Sequence, residues 1–88
     1  MAHSKSAKKR IRQNLKRRAI NRWRKRLVKK AIKDFDDAVH DGDTGKANET
    51  YRAVTKVLDQ VASKGTIHKN AAARKKSRLA KRLNALGA

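Results

Sequence analysis

From Ile20 onward the apolar positions of the chain recur every three to four residues. Ile20, Trp23, Leu27, Val28, Ala31, Ile32 and Phe35 share one side of a helix, and Arg22, Lys25, Arg26, Lys29, Lys30 and Lys33 take the other. Before Ile20 this separation fails, because only Ile11, Leu15 and Ala19 stack, inside a ring of cations. Residues 5–33 contain no Asp, Glu, Gly or Pro and are rich in Ala, Leu, Arg and Lys, which favours helix wherever their mutual repulsion is cancelled. The pattern predicts a first helix from about Ser6 to about His40, capped by Ser4 or Ser6, with Met1–Ser4 frayed and Phe35, Ala38 and Val39 apolar in the last turns. At 1.5 Å per residue it is about 50 Å long, more than a bundle of this size can bury.

Asp41 to Gly45, Asp-Gly-Asp-Thr-Gly, is a turn cluster. Asp43 or Thr44 caps a second helix over about 44–64, and Gly65 follows in the position favoured for a left-handed C′ residue. Ala47, Tyr51, Val54, Val57, Leu58, Val61 and Ala62 form its apolar face. Lys46, Glu49, Arg52, Lys56, Asp59 and Gln60 lie opposite, spaced for i,i+3 pairs of opposite charge. A third helix is predicted over about 68–85, with an apolar stripe of Ala72, Leu79, Leu83 and Leu86 that Lys76 interrupts, and with Arg74, Lys75, Arg78, Lys81 and Arg82 gathered on the other side. No strand alternation, repeat or linker breaks the pattern. The fold class read from it is all-α: residues 1–88 as a single helical domain, a three-helix antiparallel bundle with a long, basic, protruding first helix.

Charge changes this picture more than composition does. The chain has 88 residues and a formal net charge of +19, far beyond what solubility requires and enough to oppose compaction. Residues 1–33 carry fifteen Lys and Arg and no acid; residues 34–63 carry all seven acids against Lys46, Arg52 and Lys56; residues 64–88 carry eight cations and no acid. Two basic arms flank a mildly acidic middle. Without Cys there are no disulfides or thiolate metal sites, which fits a reducing compartment. No apolar run approaches the roughly 20 residues that span a bilayer, and no signal-type hydrophobic segment follows the basic start.

Candidate chemistry is correspondingly narrow. No phosphate-cradling Gly loop and no carboxylate pair in a credible pocket is present, so the reading is of a protein that is not an enzyme. Asp34, Asp36, Asp37, Asp41 and Asp43 straddle a helix end without calcium-loop spacing and are read as solvated turn acids, with Asp43 as a cap. His3, His40 and His68 are too scattered to hold a metal. His68, in Lys-Gly-Thr-Ile-His-Lys-Asn at a helix start, is read first as a capping residue and second as a contact to phosphate or ribose. Trp23 and Tyr51 lie on apolar faces, which favours core packing over base stacking. The basic faces point to a polyanion, since Lys and Arg neutralise phosphates and release condensed counterions, and Arg adds a planar fork that matches phosphate and can stack on bases. Nucleic acid is favoured over an anionic membrane surface, because the densest cluster, Lys8 to Arg18, has almost no apolar surface to insert. These residues alone do not choose RNA over DNA. Scarce aromatics argue against a stacking platform for single strands, and no helix-turn-helix or zinc-finger signature is present.

Four stretches narrow the choice: Ser-Ala-Lys-Lys-Arg-Ile-Arg-Gln (6–13), Lys-Arg-Arg (16–18), Asn-Arg (21–22) and Ala-Ser-Lys-Gly-Thr-Ile-His-Lys-Asn-Ala-Ala-Ala-Arg-Lys-Lys-Ser-Arg-Leu-Ala-Lys-Arg (62–82). With them the chain resembles the bacterial small-subunit ribosomal protein S20 family over nearly its whole length. The C-terminal block is the more specific. The resemblance implies a three-helix bundle with a protruding first helix, in the cytoplasm, bound directly and early in assembly to 16S ribosomal RNA in the body of the small ribosomal subunit. The implied role is structural, with cations holding together RNA helices that otherwise repel.

Family RNA contacts carry over to Lys5, Lys8, Lys9, Arg10, Arg12, Gln13, Lys16, Arg17, Arg18, Asn21 and Arg22, with Lys25 and Arg26 continuing the basic face. In the second block they fall on Lys64, His68, Lys69, Asn70, Arg74, Lys75, Lys76, Ser77, Arg78, Lys81 and Arg82. Two residues depart from the family pattern: Trp23 stands where a small residue is expected, and Gly45 weakens the start of the second helix. The reading is completed by full folding on RNA and by no cofactor, metal, small-molecule substrate, membrane or homo-oligomer. A nucleoid-type DNA-compacting protein is the alternative, and a membrane-surface peptide ranks third.

Overall fold

The computed structural model describes residues 4–87, so Met1, Ala2 and His3, expected to fray, lie outside the described residues. Three helices account for nearly all of the rest: α1 (Lys5–His40), α2 (Thr44–Ser63) and α3 (Lys69–Ala85). Ser4 is not frayed but caps α1, its hydroxyl accepting from the Ala7 amide at 3.1 Å. Asp43 caps α2 by accepting from the Lys46 amide at 3.0 Å, which starts the helix despite Gly45 in its first turn.

Both helix-to-helix connections are closed by the same device. Gly42 and Gly65 follow the C-caps of α1 and α2 with φ of +71° and +78°, a region where a side chain is strained and glycine is not. The next amide then reaches back to a carbonyl five residues earlier, Asp43 N–H to Ala38 at 3.2 Å and Thr66 N–H to Val61 at 3.2 Å. The helices are thereby stopped and the chain reversed within a few residues.

The core is small and lies at one end. It consists of Val28, Phe35 and Ala38 from α1, Ala47, Val54, Leu58 and Val61 from α2, and Ala72, Leu79 and Leu83 from α3. Ala31, Ile32, Val39, Tyr51, Val57, Ala62, Ile67 and Leu86 are packed around it. The Tyr51 ring meets Phe35 at 6.1 Å between centroids, and its hydroxyl donates to the Lys76 carbonyl at 3.4 Å. The middle helix, α2, carries the packing, with α1 on one side and α3 on the other.

Among the described residues, no buried residue precedes Val28. The apolar face read into the first helix therefore holds only in its second half. Ile20 and Trp23 are 43% and 58% exposed, which corrects the expectation that Trp23 is a core residue. The reason is positional: α2 ends at Ser63 beside this part of α1, and α3 packs on α2 rather than across it. The basic half of α1 projects beyond the bundle. The molecule measures 60 × 22 × 16 Å, with a radius of gyration of 17.4 Å, against the roughly 12 Å expected for a compact domain of this length.

Candidate nucleic-acid interface

The projecting part of α1 presents cations on every side. Lys5, Lys8, Lys9, Arg10, Arg12, Gln13, Lys16, Arg17, Arg18, Arg22, Lys25 and Arg26 are all exposed, as are Ile11, Leu15 and Ala19 between them. On α3, Lys69, Asn70, Arg74, Lys75, Ser77, Arg78, Lys81 and Arg82 are exposed opposite the buried Ala72, Leu79 and Leu83. Neither basic surface is an enclosed site. Each is a convex face along which several phosphates can be met at once, the arrangement through which many weak contacts sum to strong, salt-sensitive binding.

Two cations of the second block are engaged within the bundle. Lys76 Nζ lies 2.7 Å from Asp59 Oδ1 of α2. Arg82 pairs with Asp36 of α1 and lies over the Phe35 ring at 5.6 Å, joining α3 to α1 across the end of the core. Both pairs are half-exposed, so each adds at most about 1 kcal/mol, and neither cation is withdrawn from solvent. They correct two expectations. Asp36 is not a solvated turn acid, and the opposite charges of α2 do not pair along that helix, since Asp59 reaches α3 instead. Among the described residues, neither ion pair involves a cation between Lys5 and Lys33.

His68 combines two readings. It is the N-cap of α3, with Nδ1 accepting from the Asn70 amide at 3.1 Å. A ring that accepts at Nδ1 carries its proton on Nε2 when neutral, so capping leaves an N–H donor on an exposed ring. Among the described residues there is no cluster of His, Asp or Glu suited to a metal, and no helix long and apolar enough to cross a membrane.

The two basic blocks meet at one place. The turn after Gly65 sets Thr66 against α1, where its hydroxyl donates to Asn21 Oδ1 at 2.8 Å. Arg24 Nη1 approaches the same pair, at 3.4 Å from Thr66 Oγ1 and 3.5 Å from Asn21 Oδ1. Asn21 is thus half-buried and partly used in fixing the fold. Around this junction Arg17, Ile20, Asn21, Arg24 and Lys64 line an open concavity of about 390 Å³ with no carboxylate in its wall. Three cations from two separate elements converge there. Arg24 is absent from the residues singled out in the sequence, although 17, 21 and 24 follow one another at helical spacing; the missing signal was Lys64, which only the fold brings to that stripe.

Known proteins match over the whole chain. A family model described as Ribosomal protein S20 matches residues 2–84. The small ribosomal subunit protein bS20 of Shouchella clausii is 50% identical over 88 residues, covering all of both chains. That of Clostridioides difficile is 52% identical over 88 residues, again all of both. That of Geobacillus kaustophilus is 51% identical over 88 residues, covering all of this chain and 99% of the relative.

Proposed function

Because the chain belongs to the ribosomal protein S20 family, we propose that it is a structural constituent of the small ribosomal subunit in the cytoplasm, and that it binds 16S ribosomal RNA directly through its basic helix faces. Within one helical RNA-binding domain, the protruding half of α1 and the outer face of α3 meet phosphates of different RNA segments and lower the repulsion between them. The observation that supports this reading is the junction at Asn21 and Thr66, which holds the start of the second basic block, with Lys64, against Arg17 and Arg24 of α1. Lys76 and Arg82 contribute from their paired positions, and His68 through the ring N–H that capping leaves over.

Competition binding across a salt series tests it, with a folded small-subunit rRNA fragment against duplex DNA of equal length. Both affinities fall with salt, because phosphate contacts dominate. The expected result is an rRNA preference that persists as salt rises; curves that coincide at every salt would instead favour a nucleoid-type DNA-compacting protein. A second measurement addresses folding. The basic half of α1 has little apolar surface to offset its ordering entropy, so circular dichroism is expected to show helix gained when rRNA is added. Full helicity in the free protein would remove that part of the reading.

A further inference from the structure

Trp23, 58% exposed, lines a second concavity beside the one lined by Arg17, Asn21 and Lys64. This groove between α1 and α2, about 290 Å³ in volume, is walled by Trp23, Leu27, Val57 and Val61, with Gln60 and Ser63 at its polar edge. That is just below the range for pockets that enclose a whole small molecule, roughly 300–1,000 Å³, so a single ring rather than a larger ligand is the occupant considered. Arg24 and Lys64 line both concavities, so an apolar slot and a cationic notch adjoin through two shared residues. Neither wall contains a carboxylate. Arg24 is turned toward the junction by its long hydrogen bonds to Asn21 and Thr66.

We propose that these adjoining concavities seat one unpaired nucleotide of the rRNA, its base stacked on Trp23 and its phosphate held by Arg17, Arg24 and Lys64. The inference rests on the RNA-binding reading above and goes beyond it by naming a base contact on a surface otherwise made for phosphates. A single indole cannot form a platform for a strand, but it offers a π-face to one base whatever its identity. Gln60 adds an amide that both donates and accepts at the base edge. An apolar side chain from a protein partner would fill the groove but leave the cationic notch without an anion, which is why a nucleotide is the occupant argued for.

Trp23 is the chain's one Trp, so intrinsic fluorescence reports on it alone. With the full chain and folded small-subunit rRNA, emission is expected to be quenched on binding. Base-modification footprinting is expected to show one unpaired base protected by the wild type and reactive with Trp23→Ala. Trp23→Ala and Trp23→Leu should each lower rRNA affinity about 5- to 150-fold, the loss typical of one stacked base, while Trp23→Phe retains most of it. Because Trp23 is exposed, helicity of the variants serves as the folding control. Wild-type affinity in Trp23→Leu, or an unchanged footprint in Trp23→Ala, overturns the seat and leaves the RNA-binding reading standing. Full rRNA affinity in Trp23→Ala together with loss of a contact to another protein in the assembled subunit also overturns it, in favour of a protein occupant. Absence of any rRNA preference in the wild type removes both.

Discussion

Residues 5–27 and residues 28–40 belong to one uninterrupted helix, α1, yet different forces hold their two halves. The second half buries Val28, Phe35 and Ala38 against α2 and would lose them to water on unfolding. The first half buries no residue fully, Asn21 and Arg24 being partly covered at the Thr66 junction, and its cations repel one another along its length. Helical propensity there is favourable but weak, a few tenths of a kcal/mol per residue at most, and the ends of such a segment are marginal without packing. One half thus depends on the bundle, and the other, on the function proposed above, is held by RNA phosphates. A helix that is continuous in geometry is divided in energetics, and the division falls at Val28.

The sharpest test of that division is Phe35→Ala. Phe35 is fully buried at the point where all three helices meet, and its loss is expected to cost about 3–5 kcal/mol. In a domain with so small a core this should lower Tm by more than about 10 °C; Leu15→Ala, on the projecting half, should leave Tm within the error of the melt. Equal effects would erase the distinction between the halves.

The converse test removes charge from the projecting half. Lys8→Gln, Lys9→Gln and Arg10→Gln together are expected to weaken rRNA binding on the order of 100-fold near physiological salt. They should also reduce the salt slope by about 2 to 3, one counterion being released per lost contact. Tm of the free protein should be unchanged or slightly higher, since repulsion falls. A drop in Tm would mean that the projecting half contributes to the bundle after all.

Thr66→Val probes the junction between the two regions. It removes the hydroxyl that donates to Asn21 and accepts from Arg24, and about 1 kcal/mol is expected to be lost, read as a Tm shift of a few degrees. His68→Asn separates capping from RNA contact: Asn caps a helix well, so stability should hold or rise slightly, while rRNA affinity falls if the ring N–H meets phosphate. The smallest effect is expected from Asp59→Asn, because the half-exposed Lys76 pair contributes less than about 1 kcal/mol. A large destabilisation there would show that surface pairing, rather than apolar burial, holds α3.

Much of the architecture could be read from spacing. The apolar stripe of α2 is the core, and Asp43 and Gly65 mark its ends as cap and left-handed residue. Periodicity records which side of a helix is apolar, because burial selects it residue by residue. It does not record how far a neighbouring helix extends, and so Ile20 and Trp23 carry the same apolar signal as Phe35 although α2 ends beside them. The candidate interface divides in the same way. The cations and their clustering were plain in the sequence. The meeting of Asn21 with Thr66 across 45 positions, the approach of Lys64 to Arg17 and Arg24, and the pairing of Asp36 and Asp59 with α3 were not.

By itself, then, the sequence determined three helices, a thin core and a large, one-sided positive charge, since each follows from propensity, periodicity or composition. The tertiary structure alone decided where the core stops, which acids are spent within the bundle, and that an exposed indole stands beside three converging cations. Those depend on chain reversal at two glycines, which sets side by side residues that no local rule connects.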